Sequence, residues 1–401
     1  MSQRDAIFAF LTAFAVAALL TPLTARFAIR VGAVDRGKDR GLGARATPLL
    51  GGLAMLGAVL IASALFLDFS EPSDERLRGI LAGAIVIAIV GALDDRFDLP
   101  PGPKLLGQVV AAVIPVQAGV EVTHITLPFL GAMDLGDAGG PLTVLGLVAM
   151  MNVVNFSDGI DGLAAGVCAI SAIAFSIIAF DLARNHAGVL AAITAGAALG
   201  FLVHNFHPAS VYMGDCGANL LGLLLGCIAI EGLVKTSAVL ALLFPLLVLA
   251  VPFLDTTFVV LKRTKYRRPF YRADANHFHH RFSRIGFSQR RTVLYLYAWT
   301  VALAAFAVSL RFVPYSDHHG HLHAGWTLVL VGIFLIVVAA SVYLVYVLEI
   351  LKFKRLDTVR LRRLRPEATD AEIDADVDER LKTGEFEAVR GETEEFPVVH
   401  E

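Results

Sequence analysis

The stretch Asn152-Val-Val-Asn155-Phe-Ser-Asp158-Gly159-Ile160-Asp161-Gly162 sets two carboxylates, two carboxamides and two glycines between the apolar runs 141–156 and 163–180. Runs of that kind approach the ~20 residues that cross a bilayer as a helix. Ionisable groups held at membrane depth are costly and therefore rarely accidental. The stretch predicts two membrane helices joined by a polar turn, with a functional site at the membrane edge.

The rest of the chain agrees with that class. Apolar residues make up 56% and charged residues 17%, against ~45–50% and ~25% in soluble domains. About eleven stretches approach bilayer length. They lie near 6–25, 50–67, 79–93, 105–119, 141–156, 163–180, 187–204, 219–233, 237–260, 292–311 and 325–350. The first lacks a small-residue cleavage site and reads as a retained helix. The expected fold is an all-α polytopic membrane protein. Its membrane domain spans 1–351, followed by a basic, then acidic and flexible tail over 352–401.

Short loops rich in Lys and Arg stay in the cytoplasm. Three segments are basic: Arg26 to Arg45, Lys262 to Arg291, and Lys352 to Arg365. With an odd number of spans they share one side, which puts the N-terminus outside and the C-terminus inside. Segment 120–140 has no Lys or Arg and alternates around Pro128 and Gly131. It predicts a small external β-hairpin. Three cysteines without a CxxC argue against a disulfide network.

Under this topology four polar clusters fall on the cytoplasmic side. They are Asp94-Asp95-Arg96-Phe97-Asp98, the opening stretch, Asn205 to Gly217 with Tyr212 and Gly214-Asp215, and His277-Phe-His279-His280-Arg281. Converging carboxylates and carboxamides would repel without a cation, and hard oxygen donors select Mg²⁺ or Mn²⁺. Neighbouring Arg and His side chains would hold phosphate. These parts suit phosphoryl transfer to a head group presented at the membrane edge.

Each cluster has a plainer reading when taken alone. DDxxD also describes a solvated helix end. His277-Phe-His279-His280 also fits a zinc site or a surface patch, although its basic neighbours favour phosphate. Asn152 and Asn155 could bond between helices, and Tyr212 suits a membrane interface. His318 to His323 read as a solvated loop. Asp374 to Glu385 mimic calcium-loop spacing, but Glu379 replaces the turn glycine. A cation- or proton-coupled transporter is the rival class; it would hold its carboxylates near mid-bilayer in repeated halves.

Taken in order, Thr47-Pro48-Leu49-Leu50-Gly51-Gly52, DDxxD, NxxNxxDGxDGL, GDxG and HxHH resemble the polyprenyl-phosphate N-acetylhexosamine-1-phosphate transferase superfamily over about residues 1–350. The resemblance implies transfer of sugar-1-phosphate from a UDP-N-acetylhexosamine to undecaprenyl phosphate at the cytoplasmic face of the cell membrane, with release of UMP. It implies Mg²⁺, with Mn²⁺ as the alternative, held by Asp215 and Asn155. Catalytic positions would be Asp94, Asp95, Asp158, Asp161 and His279. The nucleotide and sugar would meet Asn155, Asp161, Asn205, Tyr212, Arg268, His277, His279 and His280. The lipid phosphate would meet Asp94, Asp95 and Lys104. Arg281 and Gly286-Phe-Ser288 are similar to the N-acetylglucosamine branch, which begins cell-envelope polysaccharides, rather than to the muramoyl-pentapeptide transferases. Ala218-Asn219 follows Gly217 where the family usually has a Ser after GDxG. Membrane lipid is an expected partner, nucleic acid is not, and a homodimer is left open.

Overall fold

The computed structural model describes residues 2–35, 46–69, 75–127, 131–232, 288–314, 323–347 and residue 372. The helices are α1 (Gln3–Val31), α2 (Gly51–Phe66), α3 (Glu75–Phe97), α4 (Pro101–Gln117), α5 (Gly139–Ser157), α6 (Leu163–Asp181), α7 (Asn185–Asn205), α8 (Gly214–Gly232), α9 (Gln289–Phe312) and α10 (Ala324–Val347). Seven helical stretches among the described residues are long and apolar enough to cross a membrane, so this is a mostly helical, multi-pass protein. Each described helix lies on an apolar run read from the sequence. The run at 237–260, the basic loop bearing Arg268, His277, His279 and His280, and the tail apart from residue 372 lie outside the described residues.

Strand is scarce. β1 (Val34–Asp35) pairs antiparallel with β2 (Thr47–Pro48), joining the end of α1 to the start of α2. β3 (His124–Leu127) pairs antiparallel with β4 (Gly131–Asp134), with His124 opposite Asp134. This second pair ties down beside α5, where Thr143 Oγ1 accepts from Val122 N at 3.0 Å.

Helix ends and small residues build the bundle. Ser2 caps α1 in a reciprocal pair with Asp5, and Gly32 ends that helix at φ +76°, a backbone angle that favours glycine. Ala9, Ala13 and Ala17 of α1 are fully buried. Opposite them, a Cβ on Gly196 or Gly200 of α7 would collide with the main-chain carbonyls of Phe10 and Phe14. Membrane helices associate through such close packing, because lipid offers no hydrophobic drive between them. The apolar windows of α6, α7 and α8 are 72, 78 and 83% buried against 28% for α1. The first three therefore form the centre and α1 the periphery. Several buried helix hydroxyls bond back one turn, as Thr194 Oγ1 does to Leu190 O at 2.8 Å, which satisfies them in an apolar setting; Ser63 Oγ of α2 is the exception and has no partner among the described residues.

The antiparallel succession gathers the motif-bearing ends at one rim. The ends of α3, α5 and α7 meet the starts of α2, α4, α6, α8 and α9 there. Gly51 N and Gly52 N donate to Tyr212 O and Met213 O, both at 3.0 Å. Arg290 Nε donates to His207 O at 3.0 Å. The opposite rim carries Arg76 paired to Glu231 at 3.4 Å and Arg311 paired to Asp181.

Candidate active site

Lys104, in the first turn of α4, is the hub of the rim. Its Nζ lies 2.9 Å from Asp94 Oδ2 at the end of α3 and also pairs with Asp215 Oδ2 at the start of α8. Asn155 Nδ2, near the end of α5, donates to the other Asp215 oxygen at 2.5 Å. Four helices thus converge on one carboxylate. The side chains of Asp94, Lys104 and Asp215 are mostly but not wholly covered, as a site open to a soluble substrate requires.

Asp94 and Asp95 are neighbours with different tasks. Asp94 Oδ1 accepts from Leu99 N at 2.8 Å, which turns the chain from α3 into α4. Asp95 reaches sideways and caps α8 from a separate helix. Its oxygens accept from Asp215 N at 2.7 Å and Cys216 N at 3.2 Å. A carboxylate there satisfies orphan amides and complements the positive end of the helix. The cap needs close approach. Gly214 stands at φ +66°, and a Cβ on it would meet the Asp95 carboxylate.

The opening motif forms the turn between α5 and α6. Asp158 ends α5, and its N donates to Asn155 O at 3.2 Å. Burial pushes its carboxyl up to about 8, with further upward pushes from Asp215, Asp95 and Asp161 in that order. Asp161 is buried, and its Oδ2 accepts from Ala209 N at 3.0 Å and lies 2.7 Å from His207 Nδ1. Asn205, 2% exposed, accepts from Gly162 N and donates to Val211 O, both at 3.0 Å. These polar groups clasp the 206–213 loop onto the turn. Tyr212 is half-buried in that loop, and its N donates to Pro48 O at 2.9 Å. Tyr297 of α9 completes the clasp by donating its hydroxyl to Gly162 O.

The structure thus brings together Asp94, Asp95, Lys104, Asn155, Asp158, Asp161, Asn205, Tyr212 and Asp215 at one rim. Arg268, His277, His279 and His280 lie outside the described residues. Sequence reading missed Gln108, His207, Arg290 and Tyr297. Gln108 had one available signal, since it is a lone amide in an apolar run, one helical turn beyond Lys104.

Among the described residues no three His, Cys, Asp or Glu side chains form a ready metal-ligand group. Mg²⁺ does not require one, because it usually takes one or two carboxylates and completes its shell with phosphate oxygens and water. Asp94 and Asp215 already turn oxygens toward a single positive centre, the Lys104 ammonium. That donor set fits a hard divalent cation.

Comparison with known proteins finds one family over the helices that carry this site. Glycosyl transferase family 4 matches residues 77–233, from the start of α3 to just past α8. The chain is 33% identical over 309 residues to the probable undecaprenyl-phosphate N-acetylglucosaminyl 1-phosphate transferase of Bacillus subtilis, covering 76% of this chain and 85% of that protein. It is 37% identical over 341 residues to the decaprenyl-phosphate N-acetylglucosaminephosphotransferase of Mycolicibacterium smegmatis, covering 77% and 83%. It is 32% identical over 332 residues to the phospho-N-acetylmuramoyl-pentapeptide-transferase of Desulforudis audaxviator, covering 75% and 95%.

Proposed function

The chain belongs to glycosyl transferase family 4, and from that premise we propose that it transfers N-acetylglucosamine-1-phosphate from UDP-N-acetylglucosamine to undecaprenyl phosphate, releasing UMP. The observation that carries this reading is the meeting of Asp94, Lys104 and Asn155 on Asp215 at the motif-bearing rim. The basic segments of the sequence support a cytoplasmic orientation for that rim. Its product would begin a cell-envelope polysaccharide.

In the transfer, an oxygen of the lipid phosphate forms a bond to the donor's β-phosphorus. The bond from that phosphorus to the bridging oxygen breaks, and its electron pair leaves on UMP. The sugar C1–O bond stays intact, so the anomer is retained. A Mg²⁺ ion held by Asp215, with Asp94 and Asn155 beside it, would neutralise charge on the diphosphate. Lys104 is near enough to Asp94 and Asp215 to exchange one of them for an acceptor phosphate oxygen. Asp95 keeps the start of α8, and so Asp215, in position. Asp158 holds its proton at neutral pH in the free protein and meets the donor as a hydrogen-bond donor rather than a repelling charge. Asp161 and Asn205 fix the loop that carries Tyr212, where the uracil ring would stack. Catalysis of this kind is mainly positioning and charge stabilisation.

The relative that is 32% identical over 95% of its length favours a second reading, with UDP-muramoyl-pentapeptide as donor. A transporter is disfavoured, since the carboxylates sit at helix ends. Purified protein in detergent, given Mg²⁺ and undecaprenyl phosphate, should release UMP with UDP-N-acetylglucosamine. Release only with the pentapeptide donor would transfer the protein to the second reading, and release with neither would refute both.

A further inference from the structure

Beneath the charged rim lies a second tier that is polar, uncharged and largely buried. Asn152 Nδ2 of α5 donates to Gln108 Oε1 of α4 at 2.9 Å. Gln108 Nε2 donates to Asn219 Oδ1 of α8 at 2.9 Å. Asn219 Nδ2 donates to the main-chain carbonyl of Asp215 at 2.8 Å. Gln108 and Asn219 are each 1% exposed. The relay runs in one direction only. It ends on a carbonyl at Asp215, and Asn152 also donates to the carbonyl of Val148 at 2.8 Å. Turning any one amide over would set like against like.

The two tiers repeat one arrangement. The same three helices supply both, α4 through Lys104 and Gln108, α5 through Asn155 and Asn152, and α8 through Asp215 and Asn219. Each pair is three or four residues apart, so its members share a helix face. The lower tier therefore fixes the height and rotation at which α4, α5 and α8 present the upper one. Its last link closes on Asp215 itself. A charged pair could do this only at a high desolvation cost, whereas amides fully satisfied by one another can be buried.

We infer that Gln108 and Asn219, with Asn152, are positioning residues that hold Asp215 in its cation-binding geometry. The inference rests on the proposed function and deepens its account of the metal-binding carboxylate. Asn219 then has a stated task, since its one side chain both accepts from Gln108 and donates to the Asp215 carbonyl.

The test is direct binding of Mn²⁺ to the full chain in detergent, without substrate, read from the electron paramagnetic resonance signal of free Mn²⁺. Gln108→Met and Asn219→Leu should each weaken binding about five- to tenfold, and the double variant no more than the weaker single. Gln108→Glu should bind as the wild type, because a carboxyl kept protonated by burial can accept from Asn152 and donate to Asn219. Should the apolar variants fail to fold, Asn219→Ser removes only the acceptor for Gln108 and should still weaken binding about threefold. A wild type that binds Mn²⁺, with Asn219→Ser and any folded apolar variant superimposed on it, overturns the inference alone. A wild type that binds no Mn²⁺ overturns the metal assignment beneath it as well.

Discussion

Replacing Asp95 by Ala removes the cap of α8 and leaves the side chains of Asp94, Lys104 and Asp215 in place. Two main-chain donors, Asp215 N and Cys216 N, lose their carboxyl acceptor. A hydrogen bond contributes ~0.5–1.5 kcal/mol, or ~1.5–3 kcal/mol to a charged group, and a lost N-cap costs ~0.5–2 kcal/mol. The rim is partly open, so water recovers some of this, and about 2–3 kcal/mol is the expected net loss. If that loss falls on the positioning of Asp215, turnover drops about 30- to 150-fold. Asp95→Asn keeps one oxygen acceptor but turns an amide N–H toward the second donor. It should lose about half as much free energy, or roughly 5- to 10-fold in rate. Initial rates of UMP release against Mg²⁺ concentration, with thermal inactivation in detergent, are the assays. Both variants should raise the half-saturating Mg²⁺ concentration and inactivate at lower temperature, with Asn between Ala and wild type. If Asp95→Ala altered only the apparent affinity for the lipid acceptor, with unchanged Mg²⁺ dependence and heat resistance, the capping argument would be refuted.

Gly214→Ala should reproduce much of the Asp95→Ala defect, since its Cβ meets the same carboxylate at a left-handed φ; wild-type turnover would remove the close-approach argument. His207→Ala should raise the KM for the UDP-sugar about tenfold with little change in kcat, because it loosens the loop clasped by Asp161; a kcat effect alone would contradict that role. Lys104→Met leaves Asp94 and Asp215 facing each other without their shared ammonium, and kcat/KM should fall about 100-fold or more. The Asp158 carboxyl is raised to about 8 in the folded protein, so the native state holds a proton that the unfolded chain has already lost. Its contribution to stability therefore falls as pH rises from the ordinary carboxylate range through 8, then levels off. Heat inactivation of the metal-free protein across pH 5–9 should show that slope, and Asp158→Asn should flatten it.

The apolar runs marked the described helices, because a bilayer-length helix is a one-dimensional pattern. The shared rim was also legible, since alternating spans put Asp94, Asp158, Asn205 and Asp215 at equivalent ends. What each polar group touches was not. Asp158 and Asp161 sit three apart in one short motif, yet Asp161 fastens a loop more than forty residues away while Asp158 faces the like charges of the rim. Gln108 is an isolated polar residue in the apolar run 105–119. Its partners come from helices 44 and 111 residues away, and no local spacing encodes such a meeting. The division of labour between Asp94 and Asp95 likewise depends on the approach of α8, which close glycine contacts permit.

The central claim is that this rim moves sugar-1-phosphate, rather than the sugar alone, from nucleotide to lipid. UDP-N-acetylglucosamine labelled with ³²P at the β-phosphorus, incubated with the purified protein, Mg²⁺ and undecaprenyl phosphate, tests it most directly. The account predicts label in the lipid fraction in equal amount to unlabelled UMP, and neither product with Asp215→Asn. Label retained in a UDP product, or turnover undiminished in Asp215→Asn, would contradict it.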